Sequence, residues 1–504
     1  MSRATVLAVA LAVLAIALSL SVSQGIYENL PQLEDEYAYR WQAQILAHGD
    51  LKIPSPPQAN KFIIPFVIDR GGERFGKYPL GWPMLLSFGA AVGLMRWVNP
   101  LIAGLAVWWT YRLGEKLLGQ RVGLLAAGLT AVSPFFLTYS GSILSHTWGL
   151  TLSLIFAISW LDISGERDDL PGWLPTLTAG ASLGVLALSR PWTAFGVALP
   201  FGLRGIFQMW RGSTSTKRKI LAAGLITLAI GSLHFIWQYA LTGNPLGNPY
   251  LLWWPYDKIG FGPGVGVAEG GHTLRQGWLN TRQSLKLLWS DLFGWGWFTW
   301  ALPLIGLWTA RRNRQAWLVG AVFPALVGGY LAYWVSGPRY FYEGLFSLTI
   351  LSAAGVAWFL GDGQPSAESG KRSSVLFPPS FLPRFRFLLT ITFFAALLIF
   401  GTLPYAPARI RGIQSRYGFT QAALEAFRTP EAQELAPALV LIHPAEWKDY
   451  GVYLNLEDPY LTTPFIFAWA TPAEAGRLED AFPGRTVYRY NPQNPGIFVP
   501  LGEH

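Results

Sequence analysis

The chain has no cysteine among its 504 residues, which excludes disulfides, thiolate nucleophiles and cysteine-ligated metals. It is also short of charge. Asp, Glu, Lys and Arg make up 13%, against about 25% in soluble globular proteins. Too few charges remain to cover a soluble surface, so much of the exterior is expected to face lipid. The six histidines are scattered, and no H-E-x-x-H motif occurs. Nucleotide motifs fail as well. Gly370-Lys371 looks like the end of a P-loop, but Pro365 and Arg372 stand where Gly and Ser/Thr are required. The glycines at 260, 262, 264, 266, 270 and 271 never fit G-x-G-x-x-G and read as a mobile loop.

What is present is apolar. Hydrophobic residues make up 51%, with 24 tryptophans suited to interfacial belts and to sugar stacking. Stretches near the roughly 20-residue spanning length fall at 5–24, 99–114, 122–140, 145–163, 173–188, 192–208, 219–241, 298–310, 316–335, 343–361 and 387–405. The net charge of +9 does not suggest nucleic acid, because the basic residues sit in short loops between these stretches. Arg112, Lys116 and Arg121 form one group, and Arg211, Lys217, Arg218 and Lys219 a second. Arg311, Arg312 and Arg314 form a third, and Lys371, Arg372, Arg384 and Arg386 a fourth. All four fall inside if the N-terminus is inside. Loop 164–172 falls inside too, without basic support. The run from Arg3 to Val22 reads as an uncleaved first helix; a signal peptide ending near Ser21-Val22-Ser23 is the alternative. Residues 79–95 are apolar enough to span but would invert every later basic loop. They therefore read as an interfacial or re-entrant helix, begun by Pro79, Gly81 and Pro83.

The predicted fold is an all-α polytopic membrane protein of about eleven spans, with interfacial helices and a small C-terminal α/β domain. A module over 1–405 carries two outward loops, 25–98 and 242–297. A domain over 406–504 has helices near 419–428 and 472–481 and strands at 438–442, 464–467 and 486–488. Segment 362–383 reads as a flexible inner loop. The active face and the tail are expected outside the cytoplasmic membrane.

The first loop carries the chemistry. Glu34, Asp35 and Glu36 open a short amphipathic helix just after the first span. A carboxylate tuned by its neighbours can take a proton from an acceptor hydroxyl or amine. The structural alternative is that Asp35 caps the helix and Glu36 pairs with Arg40. Further outward polar residues sit at helix ends and in loops: Lys77-Tyr78, Ser145-His146, Arg190, His272, and Arg339-Tyr340 with Glu343. Lys77, Arg190 and Arg339 run against the positive-inside trend. A lipid-linked phosphate would account for them, as would snorkelling to headgroups.

These segments resemble the GT-C glycosyltransferases, in particular bacterial relatives of dolichyl-phosphate-mannose protein mannosyltransferases and of lipid A aminoarabinose transferases. The resemblance is carried by Asp35-Glu36-Tyr37-Ala38-Tyr39, Gly76-Lys77-Tyr78-Pro79, Ser133-Pro134-Phe135 with Tyr139-Ser140, Ser189-Arg190-Pro191-Trp192, and Gly337-Pro338-Arg339-Tyr340. It implies a polyprenyl-phosphate sugar donor, a glycan, lipid or protein acceptor, and inverting transfer. Asp35, with Glu36 beside it, would be the catalytic carboxylate. Lys77, with Arg190 and Arg339, would meet the donor phosphate. Tyr39, Tyr78, His146, His272, Tyr340 and Glu343 would line the substrate. His146 stands where the family often places a second acidic residue. No cofactor is obligatory, and a divalent metal on Asp35 and Glu36 is compatible with this chemistry. A transporter or lipid-handling protein is the alternative, although the charges gather at helix ends and no halves repeat. A membrane anchor presenting the tail is a blander one.

Overall fold

The computed structural model describes residues 2–164, 172–296, 298–360, 381–414, 417–443 and 446–501, and the side chains of 381–387 are not described. The Gly370-Lys371 segment, with Lys371 and Arg372 of the fourth basic group, lies outside these limits, as do the side chains of Arg384 and Arg386. So do most of loops 164–172 and 362–383.

The chain is mainly helical. Among the described residues, Arg3–Ile26, Thr214–Thr242, Pro338–Phe359 and Leu388–Gln414 are long and apolar enough to cross a membrane. A fifth span results if the bent pair Gln120–Ala131 and Pro134–Ser140 counts as one. Eleven spans are therefore not confirmed. Helices do occupy the other expected positions, but Leu174–Ser189 and Phe298–Thr309 are shorter, and Arg314–Gly320 and Val322–Tyr330 are two pieces. The expected span 122–140 is broken by 60° at Ser133-Pro134. There Ser133 caps the second piece through the amide of Phe136, and Pro134 opens it without needing a backbone donor.

Within segment 79–95 the helix Gly81–Ala91 is 11 residues long, and the next helix begins at Met95. At 1.5 Å per residue the former reaches about 16 Å, roughly half the hydrocarbon thickness. Helix packing is close in places. A Cβ on Gly306 would lie 1.8 Å from the Leu351 carbonyl oxygen, so helices Phe298–Thr309 and Leu345–Phe359 meet backbone to backbone.

The first loop holds a helix, Glu34–Ala47, and a small antiparallel sheet absent from the sequence expectation. Its strands are β1 (Ile53–Pro54), β2 (Val67–Arg70) and β3 (Glu73–Gly76), in the order β1-β3-β2. The second loop contains an amphipathic helix, Leu274–Asp291, also not foreseen.

The tail forms a four-stranded sheet. Strands β4 (Ala438–Ile442), β5 (Phe465–Trp469) and β6 (Thr486–Tyr490) are parallel, and β7 (Phe498–Pro500) pairs antiparallel with β6, giving the order β5-β4-β6-β7. Strand β4 is buried throughout, as its unbroken apolar run requires of a strand covered on both faces. The expected helix at 419–428 is a 3-10 stretch, Gln421–Phe427. Residues Ala406 and Ile410 join the main helical core, so the tail's own core begins near Tyr417.

That core is shared with the first loop. Leu30 and Tyr37 pack among Phe419, Phe427, Val440 and Phe467, and Phe62 packs with Leu439 and Ile466. Arg40 donates to the carbonyls of Leu454 (2.6 Å), Asn455 (3.3 Å) and Glu457 (3.3 Å). Charged donors of this kind contribute about 1.5–3 kcal/mol each. Arg40→Met should therefore loosen the tail where it docks. Hydrogen exchange by mass spectrometry should show faster exchange over 452–457, and unchanged protection there would contradict the docking role of Arg40.

Candidate active site

The helix Glu34–Ala47 begins with three carboxylates in its first turn, a placement that suits the positive end of the helix dipole. The three then diverge. Glu36 is 1% exposed and accepts from the backbone amides of Gln32 (3.1 Å) and Ile143 (3.0 Å). Both of its oxygens are committed to backbone. Glu36 thus departs from the expectation of a second catalytic carboxylate and ties the loop at 143 to the helix. The Glu36–Arg40 pair is not formed either, because Arg40 faces the tail, and Leu33 rather than Asp35 occupies the cap position.

Asp35 points the other way. It accepts the Tyr78 hydroxyl and pairs with Arg339 at 3.1 Å. Burial pushes its carboxyl upward, but Arg339, Tyr78 and Lys77 outweigh that and hold it below the usual carboxylate range. A metal shared by Asp35 and Glu36 does not fit these separate commitments. Among the described residues, no group of three His, Asp or Glu side chains that could hold a metal occurs.

Lys77 follows β3 and is 3% exposed. Its ammonium lies 3.7 Å from the centre of the Phe66 ring, 4.8 Å from Tyr250 and 5.0 Å from Trp254. Its carboxylate partner is Asp257, at 3.6 Å. Arg190 stands at the break between helices Leu174–Ser189 and Pro191–Arg211, where the following proline holds it extended at φ −148°, ψ 77°. It pairs with Glu343 at 2.8 Å and donates to Ser145 at 3.2 Å. Arg339 and Glu343 both lie in the 3-10 stretch Pro338–Gly344. The three cations that ran against the charge trend are thus each matched with a carboxylate rather than snorkelling freely.

Tyrosines line the same region. Tyr39 hydrogen-bonds Ser145 at 3.2 Å, and its ring lies 4.3 Å from that of Tyr78. Tyr340 stacks on Tyr330 at 5.0 Å. His146 faces Glu343, with Nδ1 3.7 Å from its carboxylate. The turn before His146 is fixed by Asn99, which donates to the carbonyls of Ser142 and Leu144 at 2.7 Å each. His272 lies apart from this cluster: its ring stacks on Phe261 and its Nε2 meets the Leu331 carbonyl at 3.0 Å. It holds the second loop in shape.

Sequence reasoning missed Asp257 and Tyr330. Asp257 follows an aromatic run, Trp253-Trp254-Pro255-Tyr256, and a carboxylate between aromatics and glycines was its available signal. Tyr330 carries none, since an ordinary helix-end tyrosine looks the same.

A groove of about 660 Å³, lined by Trp278, Arg282, Lys286 and Trp300 among others, is bordered by helix Leu274–Asp291; none of the paired charges described above lines it.

A family model described as dolichyl-phosphate-mannose-protein mannosyltransferase matches residues 82–237, a minority of the chain. No curated protein matches the sequence. Among solved structures, ArnT from Cupriavidus metallidurans bound to undecaprenyl phosphate is similar at 15% identity with a TM-score of 0.56, over 92% of this chain and 85% of that one. The oligosaccharyltransferase AglB from Archaeoglobus fulgidus, in complex with an inhibitory peptide and a dolichol-phosphate, is similar at 14% identity with a TM-score of 0.51, over 91% of this chain and 64% of that one. An A. fulgidus oligosaccharyltransferase in complex with Zn and sulfate gives 14% identity and a TM-score of 0.50, over 88% and 61%. This chain therefore spans less than two thirds of the archaeal proteins. At these identities the likeness shows the fold, and the resemblance to GT-C transferases read from the sequence is matched by it.

Gly149 sets the position of Glu343, since a Cβ there would come within 2.5 Å of Oε1. Gly149→Ala should push Glu343 away from Arg190 and destabilise the protein by about 1–3 kcal/mol. A thermal-unfolding midpoint in detergent equal to that of the parent would contradict this.

Proposed function

We propose that the protein is a membrane glycosyltransferase that moves a sugar from a polyprenyl-phosphate-linked donor to an acceptor on the outer face of the cytoplasmic membrane. The observation that carries this reading is the meeting of Asp35, held as a carboxylate, with Arg339 and with Tyr78, the neighbour of caged Lys77. The likeness to a protein solved with undecaprenyl phosphate supports it.

In this reading the acceptor hydroxyl or amine attacks the anomeric carbon from the side opposite the phosphate, so the configuration inverts. The new glycosidic bond forms as the bond from that carbon to the phosphate oxygen breaks. The acceptor's proton passes to Asp35, and the lipid phosphate leaves with the bonding electrons. Lys77, Arg190 and Arg339 neutralise the charge that develops on it, in a site from which the aromatic rings exclude water. Asp35 and Arg339 are the most accessible of the three pairs at this site, at 21% and 24%, which suits a base that must meet an incoming acceptor. Tyr39, Tyr78, Tyr340, His146 and Glu343 shape the substrate's surroundings. The eleven-span topology and the outward placement of residues 406–504 belong to the same proposal.

Two measurements bear on it. Asp35→Asn keeps the acceptor of the Tyr78 hydrogen bond and should lower transfer from a synthetic polyprenyl-phosphate sugar by about 10²–10⁴-fold in kcat; full transfer by this variant would remove Asp35 from the mechanism. Tyr78→Phe withdraws a hydrogen bond that favours the ionised carboxylate. The acid limb of the pH–rate profile should then move to higher pH, and a limb that stays put or moves down would show that Asp35 does not set it.

A further inference from the structure

The three buried or half-buried cations leave no positive charge uncommitted: Lys77 pairs with Asp257, Arg190 with Glu343 and Arg339 with Asp35. An incoming lipid phosphate therefore meets a site that is already neutral. For its charge to be held by fixed cations, one of the carboxylates has to yield.

The geometry distinguishes the three. Asp35 is held by both Tyr78 and Arg339. Glu343 is 0% exposed and boxed against Gly149. Asp257 is held to its cation more loosely. Its 3.6 Å distance to Lys77 is the longest of the three, against 2.8 and 3.1 Å for the other two pairs. It also sits at the start of a loop whose Gly260, Gly262, Gly264 and Gly266 all have positive φ, from 73° to 133°. The Lys77 ammonium offers three donors, and among the described residues its surroundings are aromatic rings and, at 3.6 Å, the Asp257 carboxylate.

Resting on the function proposed above, we infer that Asp257 is a resident counter-ion that occupies the donor-phosphate seat on Lys77, yields to the phosphate of the bound lipid, and returns to help expel the spent lipid phosphate. Asp257 is thus a positioning residue, acting through Lys77. Its other oxygen accepts from Tyr333 (3.0 Å) and the Trp334 indole (3.1 Å). Those two residues lead directly to Arg339, so the loop that releases Lys77 is tied to the segment carrying the second phosphate cation. The spent lipid phosphate carries more negative charge than the phosphodiester donor, so competition from Asp257 acts most strongly on product release.

The test uses the full-length protein in detergent, with undecaprenyl phosphate as the binding probe by calorimetry and with donor KM and kcat measured separately. Asp257→Asn keeps an acceptor for Tyr333 and Trp334 but removes the competing charge. It should bind the probe about fivefold to tenfold more tightly, with a lower donor KM and a lower kcat because product leaves slowly. Tyr333→Phe weakens only the resting seat and should shift binding the same way by less; it decides the matter if Asp257→Asn does not fold. Lys77→Met separates the two readings. If it leaves probe binding unchanged, Lys77 is not the phosphate seat and the functional reading of that residue fails. If it weakens binding while Asp257→Asn and Tyr333→Phe bind the probe no more tightly than the parent, the donor site stands and the displaced counter-ion is overturned. A purely structural Asp257 would instead raise KM as kcat falls.

Discussion

A cation set into the end of an apolar helix bundle has to be given an anion, and the rest of this structure follows from how that is done. Removing the partner of a buried ion costs about 3–5 kcal/mol, because the remaining charge is left without compensation. Each of the three pairs joins segments far apart in the chain: 77 to 257, 190 to 343, and 35 to 339. The pairs therefore fasten the first loop to the second, and the break before Pro191 to the stretch after Pro338. They also bring to one place the groups that glycosyl transfer would need.

Much of this was legible where a local pattern decides the outcome. The strand at 438–442 was read to the residue, because an unbroken run of Ala, Leu, Val and Ile bounded by Pro437 and His443 leaves little choice. The carboxylate helix and the short helix after Pro79 were visible for similar reasons. Lys77, Arg190 and Arg339 stood out because their charge was in the wrong place for a loop. What was not legible depends on distant partners. Nothing near Glu36 says that the amide of Ile143 will claim it. Asp257 looked like ordinary loop polarity until Lys77 was placed beside it. The helix Leu274–Asp291 has a polar side and an apolar side, but its Arg, Lys and Gln content hid it within a loop rich in glycine. The count of spans depended on uniform apolar length, and Pro134 and the division at Ala321 break that uniformity.

The tail is not an appendage hung from the last helix. Tyr37 and Arg40 on one side of the helix Glu34–Ala47 are claimed by the tail, while Asp35, Tyr39 and Gln42 on the other side meet Arg339, Ser145 and the Tyr78 carbonyl. One helix of 14 residues is thereby fixed from two directions. Further ties reinforce it: Glu28 accepts from the backbone amide of Gln421 at 2.6 Å, and Tyr460 donates to Asp50 at 2.7 Å. The position of the catalytic candidate is set as much by the packing of the tail as by the bundle.

This arrangement also has a consequence in time. Arg40 leaves the ribosome well before its partner, since the carbonyl that receives it is 414 residues further along. The entropic cost of closing so long a loop grows only slowly with its length, but the partner does not exist until those 414 residues have been made. Until then, the helix that bears Asp35 has one finished side and one bare side. A chain cut short before Leu454 would present an unclaimed arginine and an uncovered Tyr37, features by which cellular surveillance can distinguish it from a completed protein.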